Sequence, residues 1–396
     1  MTSTSYTDDR GVVIVGGGLA AQRCAEALRR FGYEGRVRIV CGEPHAPYDR
    51  PPLSKEVLAG EGADAAVGFR AAEWYDGKDV ELLLGRRAAR LDAPARRVAL
   101  ADGEGLAFDE LVIATGASPR TLPALAPYAN VSTLRTLEDA RALRELLAAR
   151  ARLVIVGAGF IGQEVAAAWR AGGAEVAIVE AETLPLRGLL GEEIGAWFAA
   201  MHRDEGVALV LGHTVAEIHG GERVEAVTLD DGRRLEADHV LIGIGVRPEL
   251  AWIDGSGLPV EGIPTDASGR TTLPGVWAAG DAAAFHDRFL DRHALSGHWE
   301  AAGRQGAAVA GAIAGRPPAP PALSSFWSDQ YGTRIQYLGH AQLADAVELD
   351  GDPAARDFTA LYTRAGEPVG ALIVGRPKAL AEMRDRLSHI TERSAA

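Results

Sequence analysis

Two stretches of the chain carry the same pattern of apolar and polar positions. Residues 11–15 and 153–156 are apolar at every position, as strands covered on both faces must be, and each runs through clustered glycines into a helical repeat. In the first stretch Gly16, Gly18 and Ala21 stand at G-x-G-x-x-G/A spacing, and residues 20–30 continue as a helix. In the second, Gly157, Gly159 and Gly162 repeat the spacing; a helix runs to Arg170 and a strand over 175–179 ends at Glu180. The first glycine makes a tight turn, the second lets backbone approach a pyrophosphate, and the small third residue lets helix and strand pack closely. The phosphates then sit on the unpaired N–H groups of the helix. Candidate phosphate contacts are Gly16, Gly18, Leu19 and Ala20 in the first copy, and Gly157, Gly159, Phe160, Ile161 and Gly162 in the second.

An acid after the second strand of such a unit accepts hydrogen bonds from a ribose. Glu180, 21 residues past Gly159, takes that position for the two ribose hydroxyls of NAD and would repel the extra phosphate of NADP. Arg187 is the one nearby cation that could soften this preference. Glu43, beyond the strand 37–40, is either the corresponding ligand of the first unit or a surface acid. Two dinucleotide units imply two dinucleotides, a flavin held permanently and a nicotinamide that visits.

The remaining pattern fills in around these units. Pro51 and Pro52 are read as breaking any helix and setting extended backbone, with Ser54 capping a short helix. Arg50 and Lys55 are either brought toward the first ligand or are ordinary surface charges. Strands are expected at 79–84, 96–100 and 108–115, the last ending in Ala114, Thr115 and Gly116, small residues that let backbone pass close to a cofactor. Pro119, Pro123 and Pro127 mark a linker, and Thr136 with Asp139 resembles a capping box. A helix over 192–205, strands over 207–211, 223–229 and 238–242, and a hairpin turn at 230–232 follow. Gly245 lies in a glycine–proline stop. The strand at 276–278 leads to Gly280 and Asp281, whose carboxylate is either a ribityl or pyrophosphate ligand or a helix cap. A small-residue helix spans 299–313, a proline-rich linker 315–323, antiparallel strands 333–338, 358–364 and 369–374, and a closing helix 378–387; the tail 388–396 reads as disordered.

Composition narrows the class. With 396 residues, 47% hydrophobic and 24% charged, the chain can fill two or three soluble domains. A net charge of -13 argues against nucleic acid but leaves room for a local basic patch. Cys24 and Cys41, the two cysteines, read as buried small hydrophobes, so no disulfide framework and no redox pair is expected, nor any metal site. Residues 1–10 lack the basic and apolar regions of a signal peptide, and no run reaches membrane-spanning length, so a cytoplasmic protein with no membrane association is expected.

Six ordered motifs carry a resemblance: PYDRPPLSK (47–55), ATGASPR (114–120), GAGFIGQE (157–164), IGIGVRP (242–248), WAAGDAA (277–283) and FWSDQYG (326–332). With them the chain resembles the FAD-dependent, NADH-using ferredoxin reductases that serve Rieske-type oxygenases and bacterial P450 systems. The resemblance implies an α/β, glutathione-reductase-like flavoprotein with two dinucleotide-binding domains and a C-terminal α+β domain. FAD would be bound by 8–116 with 246–316, NAD(H) by 117–245, and 323–390 would form the third domain. It further implies catalytic roles for Lys55, Glu164 and Trp299. Lys55 would lie near the reactive edge of the flavin with Arg50 beside it, and Glu43 and Asp281 would hold FAD. Phe160 and Glu164 would face the nicotinamide, Trp299 would lie beside both rings, and Trp327 would cover the exposed side of the flavin. Electrons would leave singly for a [2Fe–2S] ferredoxin from a monomer or weak homodimer; a NADH oxidase, a rubredoxin reductase or an interaction protein similar to apoptosis-inducing factor are the alternatives. Ser325 departs from the family, which often carries a tryptophan there, and basic residues are fewer than in many members.

Overall fold

The computed structural model describes residues 5–7, 10–60, 67–287, 289–318 and 322–388. The readings of residues 1–4 and 8–9, of 319–321 in the proline-rich linker and of 389–396 in the tail lie outside the described residues.

Two five-stranded sheets repeat one arrangement. In the first the order is Val276–Ala278, Glu110–Ile113, Val12–Val15, Val37–Val40, Val80–Leu83, and every neighbour is parallel. In the second it is Val131–Ser132, His239–Ile242, Leu153–Val156, Val176–Glu180, Ala208–Leu211, again all parallel. Each glycine-bearing strand is central, and its helix, Leu19–Arg30 or Phe160–Ala171, leads to the strand on one side. The unbroken apolar runs follow from two-sided burial. Val12 and Ile14 enter one core and Val13 and Val15 the other, so no position of the strand meets water. Each such side chain contributes about 1.5–3 kcal/mol on burial.

The first sheet is completed by a strand from beyond the second, so the second half is an insertion. The chain enters it through Ala117–Pro119 and leaves through Val246–Pro248, which pair antiparallel with Pro119 opposite Val246. The stretch expected as a linker at Pro119 is therefore partly a strand; proline sits at its end, where its missing N–H costs no ladder bond.

The third layer is an antiparallel sheet ordered Ser325–Gln330, Thr333–Gly339, Glu367–Val374, Asp357–Arg364, Ala346–Asp352. It packs on helix Arg187–Asp204 through Leu190, Ile194, Phe198 and Met201, against Ile335, Tyr337, Phe358 and Leu372. That helix begins five residues before the expected start, with a break at Gly191, where φ is 82°. Several strands were not anticipated; among them Val215–Gly220 and Ala346–Asp352 are largely exposed, with few apolar side chains to reveal them.

Candidate functional site

Between the three layers lies a cleft of about 470 Å³. Of the expected positions, Gly18, Leu19, Ala20, Arg50, Lys55, Ala114, Gly116, Gly280, Asp281 and Trp299 line it from the first half. Gly159, Phe160, Ile161, Glu164 and Gly245 line it from the second half and Trp327 from the third layer.

The glycines divide into two kinds. Gly16, at φ +134°, has room for no Cβ, which would stand 1.9 Å from the Ala114 carbonyl oxygen; Gly157, at φ +108°, meets the Gly243 carbonyl oxygen at 2.5 Å. Gly162 is equally closed, its Cβ falling 2.5 Å from the Gly157 oxygen. These three lie beneath the cleft and let strand, loop and helix close up. Gly18 faces open space, and Gly159 meets only the Gly243 oxygen at 3.8 Å. Each middle glycine thus stands at a helix N-terminus with empty volume before it, which fits a pyrophosphate resting on backbone N–H groups.

The turn after the second strand does not follow the expectation. Pro51 and Pro52 open a short 3₁₀ helix, Pro51–Ser54, rather than extended backbone, because proline at the first helical positions lacks only an N–H that would be unpaired anyway. Ser54 caps nothing; the next helix, Glu56–Ala59, starts from Lys55 without a side-chain cap. Instead Ser54 Oγ donates to Glu164 Oε2 at 2.5 Å, and Lys55 Nζ donates to the same oxygen at 2.7 Å. Lys55 also reaches the Pro51 carbonyl at 3.1 Å.

A second polar group surrounds Arg50. Its guanidinium bonds Glu43 at 2.7 Å and the Arg135 carbonyl at 2.5 Å, and Tyr48 donates to Glu43 at 2.6 Å. Glu43 therefore lies outside the cleft lining, its carboxylate held by these two partners. Arg135 reaches Asp281 at 3.1 Å. Burial and the nearby Arg50 charge pull the Arg135 pKa below the ordinary arginine value. The sequence reading missed Arg135, although an arginine directly before the Thr136 cap was a visible signal; the capping box itself is present as expected.

Trp299 Nε1 donates to Asp49 Oδ1 at 2.6 Å, fixing the indole edge-on to Trp327, with ring centroids 5.4 Å apart. Burial lifts the Asp49 pKa despite this bond. Phe160 packs on Phe326 at 4.7 Å, and His298 stacks on Phe326 at 5.0 Å. Burial lowers the His298 pKa.

Three further expected residues stand outside the lining. Thr115 Oγ1 donates to the Glu249 carbonyl at 2.7 Å. Glu180 accepts the Ala158 N–H at 2.6 Å and the Glu182 N–H at 3.0 Å, which aims its carboxylate beside the second glycine loop. Arg187 is exposed and bonded to Glu192 at 2.7 Å. Among the described residues His213, Asp230 and Asp231 bring three potential metal ligands within 4.8 Å of one another, but none of them lines the cleft.

Comparison with known proteins agrees with this geometry. Residues 10–306 match the pyridine nucleotide-disulphide oxidoreductase family, and residues 325–396 match the reductase C-terminal family. The chain is similar to the ferredoxin reductase component of chlorobenzene dioxygenase from Cupriavidus sp. (strain PS12), 41% identical over 83% of this chain and 80% of that one. It is 34% identical to putidaredoxin reductase from Pseudomonas putida, over 92% and 89% of the two chains. Among solved structures, the covalent putidaredoxin reductase–putidaredoxin complex superposes with a TM-score of 0.92 at 33% identity, covering 98% of this chain and 94% of that one.

Proposed function

The chain belongs to the pyridine nucleotide-disulphide oxidoreductase family, and from that premise we propose that it is an NADH-dependent ferredoxin reductase serving a mono- or dioxygenase. The observation that carries the reading is the single cleft lined from both glycine loops, so that two cofactors meet within it. Bound FAD supplies the conversion of a two-electron hydride from NADH into single electrons, which no side chain provides.

The chain's own residues orient and bias this chemistry. The loops at Gly18 and Gly159 leave backbone N–H groups for the two pyrophosphates. Lys55 places positive charge at the cleft floor, where it favours negative charge developing on the neighbouring ring. Phe160, Trp299 and Trp327 wall the cleft with aromatic surface, holding two flat rings together and excluding water. Asp281 with Arg135, and Arg50 with Glu43, are proposed to meet the FAD phosphates and ribose, and Glu180 the NAD ribose. The aim of Glu180 at the glycine loop supports its role.

Despite the family's name, no thiol relay operates. Cys24 and Cys41 are free and buried, and burial pushes each thiol up to about 12, with Glu43 adding to the effect at Cys41. Electrons then leave directly from the flavin.

The domain limits proposed are 8–116 with 246–316 for FAD, 117–245 for NAD(H) and 323–390 for the third unit; the sheet that closes with Val276–Ala278 supports the first. A [2Fe–2S] ferredoxin, a cytoplasmic setting and a monomer or weak homodimer complete the proposal. No described helix is long and apolar enough to cross a membrane. The test is cytochrome c reduction by the FAD-loaded protein under NADH, with and without an added [2Fe–2S] ferredoxin. Rapid reduction only with ferredoxin supports the reading; equal rates without it favour an oxidase.

A further inference from the structure

We propose that Ser328, supplied by the C-terminal sheet, is a positioning residue for hydride transfer: it fixes the Glu164 carboxylate and, through it, the Lys55 ammonium. The inference deepens the function proposed above and rests on it.

The Glu164 side chain is 3% exposed, and its donors come from two other parts of the chain. Ser54 Oγ and Lys55 Nζ share Oε2, while Ser328 Oγ donates to Oε1 at 2.6 Å. Ser328 is fully buried and accepts the Gln330 side-chain amide at 3.1 Å. With that amide donating to its oxygen, the hydroxyl proton of Ser328 is committed to Glu164.

The meeting of helix and strand is geometrically matched. Phe160 and Glu164 lie one above the other at i and i+4, about 6 Å apart along the helix. Phe326 and Ser328 lie on one face of the edge strand at i and i+2, about 6.7 Å apart. The two pairs meet in register, Phe160 on Phe326 and Glu164 on Ser328. A slip of one residue would bring Trp327 or Asp329 toward Glu164, setting a bulky ring or a like charge against a buried carboxylate.

The hydroxyl therefore does chemical as well as architectural work. With Oε1 satisfied by Ser328, Glu164 does not draw its whole hydrogen-bonding requirement from Lys55, and the ammonium stays at the cleft floor. Without it, Ser54 and Lys55 are the carboxylate's remaining donors, both on Oε2, and Glu164 draws the mobile ammonium away from the flavin.

The experiment uses the FAD-loaded protein and Ser328→Ala, read by anaerobic mixing with NADH and by redox titration of the bound flavin. The limiting rate of flavin reduction is expected to fall by about fivefold or more with the NADH dissociation constant held within about twofold. The flavin midpoint potential is expected to shift negative. Ser328→Thr should restore both, and in a Glu164→Gln background Ser328→Ala should add nothing. If Ser328→Ala does not hold FAD, Ser328→Cys, a near-isosteric poor donor, takes its place with the same expectations. Parental rate and potential in the variant overturn the role, as does an equal loss in the Glu164→Gln background. A parent protein that NADH does not reduce overturns the proposed function, and this role with it.

Discussion

Lys55 Nζ stands 2.7 Å from Glu164 Oε2, joining a turn of the first half to the helix that follows the second glycine loop. Both side chains are nearly enclosed, at 12% and 3% exposure, so neither charge can be removed alone without stranding the other.

Lys55→Ala is accordingly expected to slow flavin reduction by about tenfold or more in single turnover. It should also lower the melting temperature, because Glu164 keeps only hydroxyl donors. Lys55→Ala combined with Glu164→Gln should recover the melting temperature but not the rate. Stopped-flow absorbance and calorimetry on the same preparations separate the two effects.

Glu180→Ala should weaken the preference for NADH over NADPH by about tenfold, the scale set by losing a buried polar contact and a repulsive charge. The ratio of the two kcat/KM values reports it. An unchanged ratio would remove Glu180 from the ribose site.

The two kinds of glycine give a paired test. Gly16→Ala forces a Cβ onto the Ala114 carbonyl at a backbone angle that only glycine adopts comfortably, so the variant should fold poorly or not at all. Gly18→Ala adds a methyl to open space, so it should fold normally and bind FAD more weakly. Circular dichroism and flavin content after purification distinguish these outcomes.

His202 predicts a pH dependence of stability. Its Nδ1 meets the Tyr331 hydroxyl at 2.7 Å and its Nε2 the Gln163 side-chain Oε1 at 2.9 Å, a pairing that suits the neutral ring protonated at Nε2. Burial pulls its pKa from 6.5 down to about 4. Because the folded value is the lower, the unfolded chain binds more protons in this window. The stability is present above about pH 6.5 and is lost as pH falls toward 4, by up to about 3 kcal/mol. His239, also pulled by burial to about 4, acts in the same direction. Urea unfolding at pH 7 and pH 5 should show the decline, and His202→Gln should reduce it.

The parts of this fold that were legible in the sequence are those where local chemistry leaves one solution. The strands at Val12–Val15 and Leu153–Val156 are apolar throughout because both faces are covered, and Gly16 and Gly157 sit where a Cβ would collide with backbone. The strand Ala346–Asp352 was missed because it lies at an exposed sheet edge rich in acids, where the short alternation of Val347 and Leu349 with Glu348 and Asp350 was the one signal. At the cleft, single residues were recognisable but their pairings were not. Ser54 reads locally as a cap, and only the approach of the helix bearing Glu164 redirects its hydroxyl. Ser328 sits between Trp327 and Asp329, and alternation puts it on the Phe326 face, but nothing nearby in the chain announces its partner 164 residues away.

The side-by-side entry and exit of the inserted half at Pro119 and Val246 makes that half a transplantable cassette. Both cut points fall on neighbouring strands, so a nicotinamide-binding unit with a different coenzyme preference can be exchanged without rethreading the flavin sheet. Such a graft must still present an acid and an aromatic at the positions of Glu164 and Phe160, since the C-terminal sheet reads those two side chains when it docks.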